Sequence, residues 1–231
     1  VGLADRGDRA LVERRRRAGA EIVTLPPVRT LLIAAVVAVV VIGLGLGGWF
    51  WVDARERRAL AAHVGVMTRA QTALSGQSTP DERTAAIRDL EALLAAHPSA
   101  ATVPHAAYAL GNLRYAAKEY AAARAAYEIA LNRGAADTVR TMTRASIGYT
   151  WEAEGNHTKA RDAFAALDKE LRPGEFLWEE TLIDLARAQE AAGDKDAAVQ
   201  TYRRFVKDAP AARRSDFVRS RLAALGVAAE D

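Results

Sequence analysis

Cysteine is absent from the 231 residues, which excludes disulfides, thiolate metal sites and cysteine nucleophiles while leaving the redox compartment open. Histidine is scarce. His63, His97, His105 and His157 fall in no metal-ligand spacing such as HExxH and lie in separate predicted elements, so no metal site is expected. GxSxG and GxxxxGK do not occur, nor does GxGxxG between a strand and a helix. Acidic pairs such as Glu179-Glu180 are adjacent on a predicted helix and point to different faces. The chain therefore reads as non-catalytic and without a cofactor. It also lacks the charge footprint of a nucleic-acid binder: seven of its 32 basic and four of its 29 acidic residues lie in 1–29, leaving 25 of each beyond. The sequence pI of about 9.3 belongs to that arm, not to a polyanion-binding surface, and nucleic acid is not an expected partner.

What is present begins with an uncharged run, Thr30 to Val52, between Arg29 and Asp53. As a helix, a run of this length reaches about 34 Å, enough to cross a hydrocarbon core of about 30 Å. Trp49, Phe50 and Trp51 crowd its end, where amphipathic rings favour the headgroup layer. Val52-Asp53-Ala54 offers small residues to a signal peptidase, but the apolar run exceeds a signal h-region, and Trp51 with Arg55, Arg57 and Arg58 flanks the site badly. An uncleaved anchor is the better reading. Gly43 and Gly47 form GxxxG, a candidate helix contact and route to a homo-oligomer. Seven arginines precede the span, and Arg55, Arg57, Arg58 and Arg69 follow it closely, which predicts a cytoplasmic N-terminus. The expected organisation is a basic cytoplasmic arm over 1–29, a transmembrane helix over 30–52, and an extracytoplasmic domain over 53–231 on a bacterial inner membrane. In the arm, ALVERRRRAGAEIV reads as helical up to Pro26 and Pro27.

Helix-forming sequence runs on from Trp49 to Leu74, so the spanning helix is expected to continue out of the membrane. SGQSTP breaks it. Thr79-Pro80-Asp81-Glu82 then restarts a helix with a capping box. From there the chain repeats: Ala86-x3-Leu90, Ala123-x3-Tyr127, Ala160-x3-Phe164 and Ala198-x3-Tyr202 put a small residue one turn before a bulky one every 37 or 38 residues. Twelve residues before the last three alanines lie Gly111, Gly148 and Ala186, each after an aliphatic residue, and the turns fall at Lys118-Glu119, Gly155-Asn156 and Gly193-Asp194. This predicts antiparallel helical hairpins in close contact, stacked into an all-α solenoid, with Ser215 to Leu225 as a closing helix before Gly226.

These positions resemble the tetratricopeptide repeat, W-x2-LG-x2-Y, then A-x3-F, then P. Trp151 takes the aromatic slot after Gly148, and Pro98 and Pro210 close units, whereas Arg114 and Gln189 replace the aromatic. The resemblance implies a concave, partner-binding face drawn from the first helix of each hairpin: Tyr108, Asn112 and Tyr115, then Tyr149 and Glu152, then Ile183 and Glu190. Tyrosines and an asparagine suit an extended peptide. The alternative is that some of these tyrosines pack within the array. The lysine and paired asparagines of the carboxylate-clamp subclass are missing. The arm, the anchor ending in GGWFWVDARE, the continuing helix and the repeat domain together resemble the YfgM family of ancillary SecYEG translocon subunits. That resemblance implies protein partners: the translocon, a membrane-anchored periplasmic chaperone, and exported clients. Assembly of another envelope machine is the alternative within the same class, and a subunit of a membrane enzyme the alternative outside it.

Overall fold

In the computed structural model the described residues are 28–75 and 78–227. Among them are nine helices and no strand: α1 Val28–Leu74, α2 Pro80–Ala96, α3 Val103–Ala116, α4 Tyr120–Asn132, α5 Asp137–Ala153, α6 His157–Asp168, α7 Trp178–Ala191, α8 Lys195–Asp208 and α9 Ser215–Ala224. The basic arm, except its last two residues, lies outside the described residues, as do Gly76 and Gln77 of the expected break. Contacts divide the chain into two units, Val1–Ala54 and Arg55–Asp231.

The segment Val36–Arg55, in the first unit but for its last residue, has mean hydropathy 1.9 and no buried residue, and among the described residues it is the one helical stretch long and apolar enough to cross a membrane. Its described large apolar side chains, Trp49, Phe50 and Trp51 included, are all exposed. A Cβ at Gly43 or Gly47 would meet open space.

The second unit is an array of hairpins. The break after Leu74 ends where Thr79 caps α2: its backbone N–H donates to Glu82 Oε2 at 2.8 Å and its hydroxyl accepts from Glu82 N–H at 3.3 Å, with Pro80 at the first helical position. That is the capping box expected from the sequence. The last turns of α1 pack through Val66, Ala70 and Ala73 against Ile87, Leu90 and Leu93 of α2 and against Ala106, Ala109 and Leu110 of α3. The following hairpins are α3/α4, α5/α6 and α7/α8. Each is tight because of the small residue placed opposite a ring. A Cβ on Gly111 would lie 2.3 Å from Tyr127, and one on Gly148 2.6 Å from Phe164. Ala123, Ala160 and Ala198 are fully buried beneath the same contacts.

The three turns share one geometry. Lys118, Gly155 and Gly193 adopt φ of 63°, 75° and 85°, and the next N–H closes back on the carbonyl five residues earlier, at Arg114, Trp151 and Gln189. Glycine takes this left-handed conformation freely; Lys118 does not. The array ends on α9, whose Val218 and Leu222 are buried against Trp178, Tyr202 and Phe205. Gly226, at φ 78°, stops it, with Val227 N–H donating to Leu222 O at 3.0 Å.

Candidate interaction surface

The face formed by the first helices is built by repeat geometry. The residue directly after each small residue, and the residue three further on, recur one helical turn apart on the same side. In α3 these are Asn112 and Tyr115, in α5 Tyr149 and Glu152, in α7 Arg187 and Glu190. Helices α3 and α5 touch directly, which brings successive rows together. Arg187, absent from the residues expected on this face, stands where the register after Ala186 places it. Ile183, chosen instead, is 2% exposed inside the core formed with Trp178, Leu182 and Tyr202, so it offers no surface to a partner.

From α5 onward the face is closed by paired charges. The Arg187 guanidinium forks onto Glu152, Nε–H to Oε1 at 2.9 Å and Nη2–H to Oε2 at 2.8 Å, and also lies 3.0 Å from Asp184. Glu190 accepts from the Tyr202 hydroxyl at 2.8 Å and pairs with Arg221 of α9. Tyr149 is half-buried: its ring packs edge-on against Phe164 at 5.3 Å, and its hydroxyl donates to Asp184. Burial, then the bond to Asp184, pushes its phenol well above the usual range. Burial likewise pushes the Asp184 carboxyl up, opposed by the Tyr149 hydroxyl and by Arg187.

Toward α3 the face is aromatic instead. Tyr108 is half-buried against Tyr127 at 5.9 Å. Asn112 accepts the Tyr127 hydroxyl at 2.8 Å, and its NH2 has no partner among the described residues. Tyr115 is 38% exposed and leans on Tyr120 at 5.5 Å with the rings inclined by 58°. The packing alternative therefore holds for much of Tyr108 and Tyr149, while Tyr115 stands open.

The repeat slots that lack the aromatic are filled by polar partnerships. Arg114 pairs with Glu91 of α2 and, at 2.6 Å, with Glu119, and Gln189 accepts the Thr201 hydroxyl at 2.8 Å. Trp151, which keeps the aromatic, has Arg124 at 3.5 Å and Lys159 at 4.2 Å over its ring. Among the described residues no group of three or more His, Asp or Glu side chains is placed to hold a metal.

The tetratricopeptide repeat family matches residues 180–212. That stretch is the α7/α8 hairpin, where Leu185-Ala186, Ala198, Tyr202 and Pro210 keep the pattern. No curated protein matches the sequence significantly. Among solved structures, the crystal structure of MamA protein is similar in fold, with a TM-score of 0.51 and 20% identity over 71% of this chain and 83% of that one. The second unit is thus an all-α solenoid that contains a tetratricopeptide repeat, an architecture that generally serves as a non-catalytic protein-interaction scaffold.

Proposed function

We propose that this chain is a single-pass inner-membrane scaffold, with a cytoplasmic N-terminus, whose extracytoplasmic repeat domain binds polypeptide on its concave first-helix face. In this reading it is an accessory of the SecYEG translocon or a partner of a membrane-anchored periplasmic chaperone, receiving segments of exported chains. The observation that carries it is the open aromatic stretch of that face, with Tyr115 exposed beside Tyr120 and the Asn112 NH2 unpartnered. Rings supply apolar contact area at little entropic cost, and an amide donor meets the carbonyls of an extended backbone. The span supplies tethering, and the resemblance in anchor and overall build supplies the translocon.

A photo-crosslinking amino acid in place of Tyr115, introduced in the native membrane, tests this. It is expected to yield adducts with translocon subunits, the chaperone or exported chains, whereas the same group at Glu128, exposed on the second helix α4, yields none of them. Adducts confined to another envelope machine would replace the translocon reading by the assembly reading. A reporter enzyme active only outside the cytoplasm, fused after Asp231, is expected to be active; activity only of a cytoplasm-specific reporter would overturn the orientation.

A further inference from the structure

We infer that the aromatic half of this face receives a cationic side chain, lysine or arginine, of its polypeptide ligand at the corner formed by Tyr115 and Tyr120. The inference names the ligand class for the face and rests on its reading as a polypeptide-binding surface.

Two rings of the repeat unit already carry cations of the chain itself, whereas Phe176, 53% exposed, carries none among the described residues. Where Trp151 and Phe217 reach solvent, the protein supplies its own cations: Arg124 and Lys159 over Trp151, and Arg214 at 5.3 Å from Phe217. Tyr115 and Tyr120 have none among the described residues. Their two rings, 5.5 Å apart and inclined by 58°, present negatively charged faces in an open corner.

The charges around that corner favour the same occupant. Glu119, next to Tyr120 in sequence, shares the single guanidinium of Arg114 with Glu91. Glu152 of the neighbouring first helix lies close enough to act on the Tyr115 phenol, and shares Arg187 with Asp184. At each place one arginine serves two carboxylates. A further cation that acts on Asp184, Arg214, lies over the Phe217 ring at 5.3 Å. The corner thus combines two electron-rich faces with four carboxylates, set against the two guanidiniums that pair with them and the Lys118 ammonium of the connecting turn, and the Asn112 NH2, one turn away, is free to take a backbone carbonyl of the same segment.

The test uses the full chain in lipid nanodiscs and three fluorescent extended peptides that share one apolar framework and differ at a central lysine, glutamine or glutamate. The lysine peptide is expected to bind about fivefold more tightly than the glutamine peptide, with the glutamate peptide weakest. Tyr115→Leu or Tyr120→Leu should abolish the preference, while Tyr115→Phe, which keeps the ring, should retain it; circular dichroism checks that each variant remains folded. Equal binding of the three peptides, lost on Tyr115→Leu, would overturn the cation inference and leave the face reading standing. Tightest binding of the glutamate peptide would also overturn it. Failure of a folded chain to bind any of the three would sink the face reading itself, and the inference with it.

Discussion

The first-helix face has two halves with the same register and opposite chemistry. Toward α7 and α9, carboxylates and guanidiniums meet in steps, Glu152 with Arg187 and Glu190 with Arg221, so its hydrogen-bonding capacity is used within the chain. Toward α3, the equivalent positions hold Asn112 and Tyr115, and the open ring and the free amide have capacity left over. A repeat array can therefore commit one stretch of its face to internal stability and leave another for partners without any change of backbone. The difference lies in side chains at two positions per repeat.

The largest expected effect concerns what both halves share. Gly148→Leu would drive atoms into the Phe164 ring, already 2.6 Å from a bare Cβ, and is expected to cost about 1–3 kcal/mol or more in chemical denaturation. The last hairpin carries Ala186 at the same position and accommodates it, fully buried beside Tyr202. Removing the Asp184 carboxylate comes next. Asp184→Ala leaves the Tyr149 hydroxyl without its acceptor and is expected to cost about 1–3 kcal/mol, a loss confined to the C-terminal half.

Asp184 also makes that half pH-sensitive. Its folded pKa is raised, so the stability it contributes is fully present below the ordinary carboxylate value and is lost as pH rises through the folded one. Wild type should accordingly lose stability relative to Asp184→Asn across that rise, as measured by paired melts at several pH values. A gap that stays constant with pH would contradict the raised carboxyl.

A smaller effect, of opposite sign, belongs to the other half. Lys118 holds the left-handed turn position that Gly155 and Gly193 fill in the next two hairpins. Lys118→Gly is expected to stabilise by up to about 1 kcal/mol, because the strain relieved exceeds the added chain entropy. The smallest effect is the Glu152–Arg187 coupling. With the Arg187 side chain 49% exposed, a double-mutant cycle should return less than about 1 kcal/mol.

The spacing of Ala123, Ala160 and Ala198 from Gly111, Gly148 and Ala186 already contained the hairpins, because a small residue facing a ring is a local rule with a fixed register. The capping box at Thr79 was legible for the same reason. Less of the surface could be read. Ile183 sits at a register position that faces a partner in an idealised repeat, but apolar Trp178 and the closing helix α9 draw it into the core. Whether a tyrosine is open or packed depends on its neighbour across the hairpin: Tyr127 covers Tyr108 and Phe164 covers Tyr149, whereas Tyr115 leans on Tyr120 and stays 38% exposed. Asp184 carries no signal in the sequence, since its burial follows from Tyr149 in another hairpin.

Comparing Tyr115→Ala with Arg187→Ala in the full chain in nanodiscs, by capture of an unfolded exported protein, asks whether binding capacity lies in the aromatic half. Tyr115→Ala is expected to lose most of the capture with little change in melting temperature, because the ring is exposed, and Arg187→Ala to retain it. Loss of capture in Arg187→Ala with Tyr115→Ala unaffected would instead place the binding surface on the charged half.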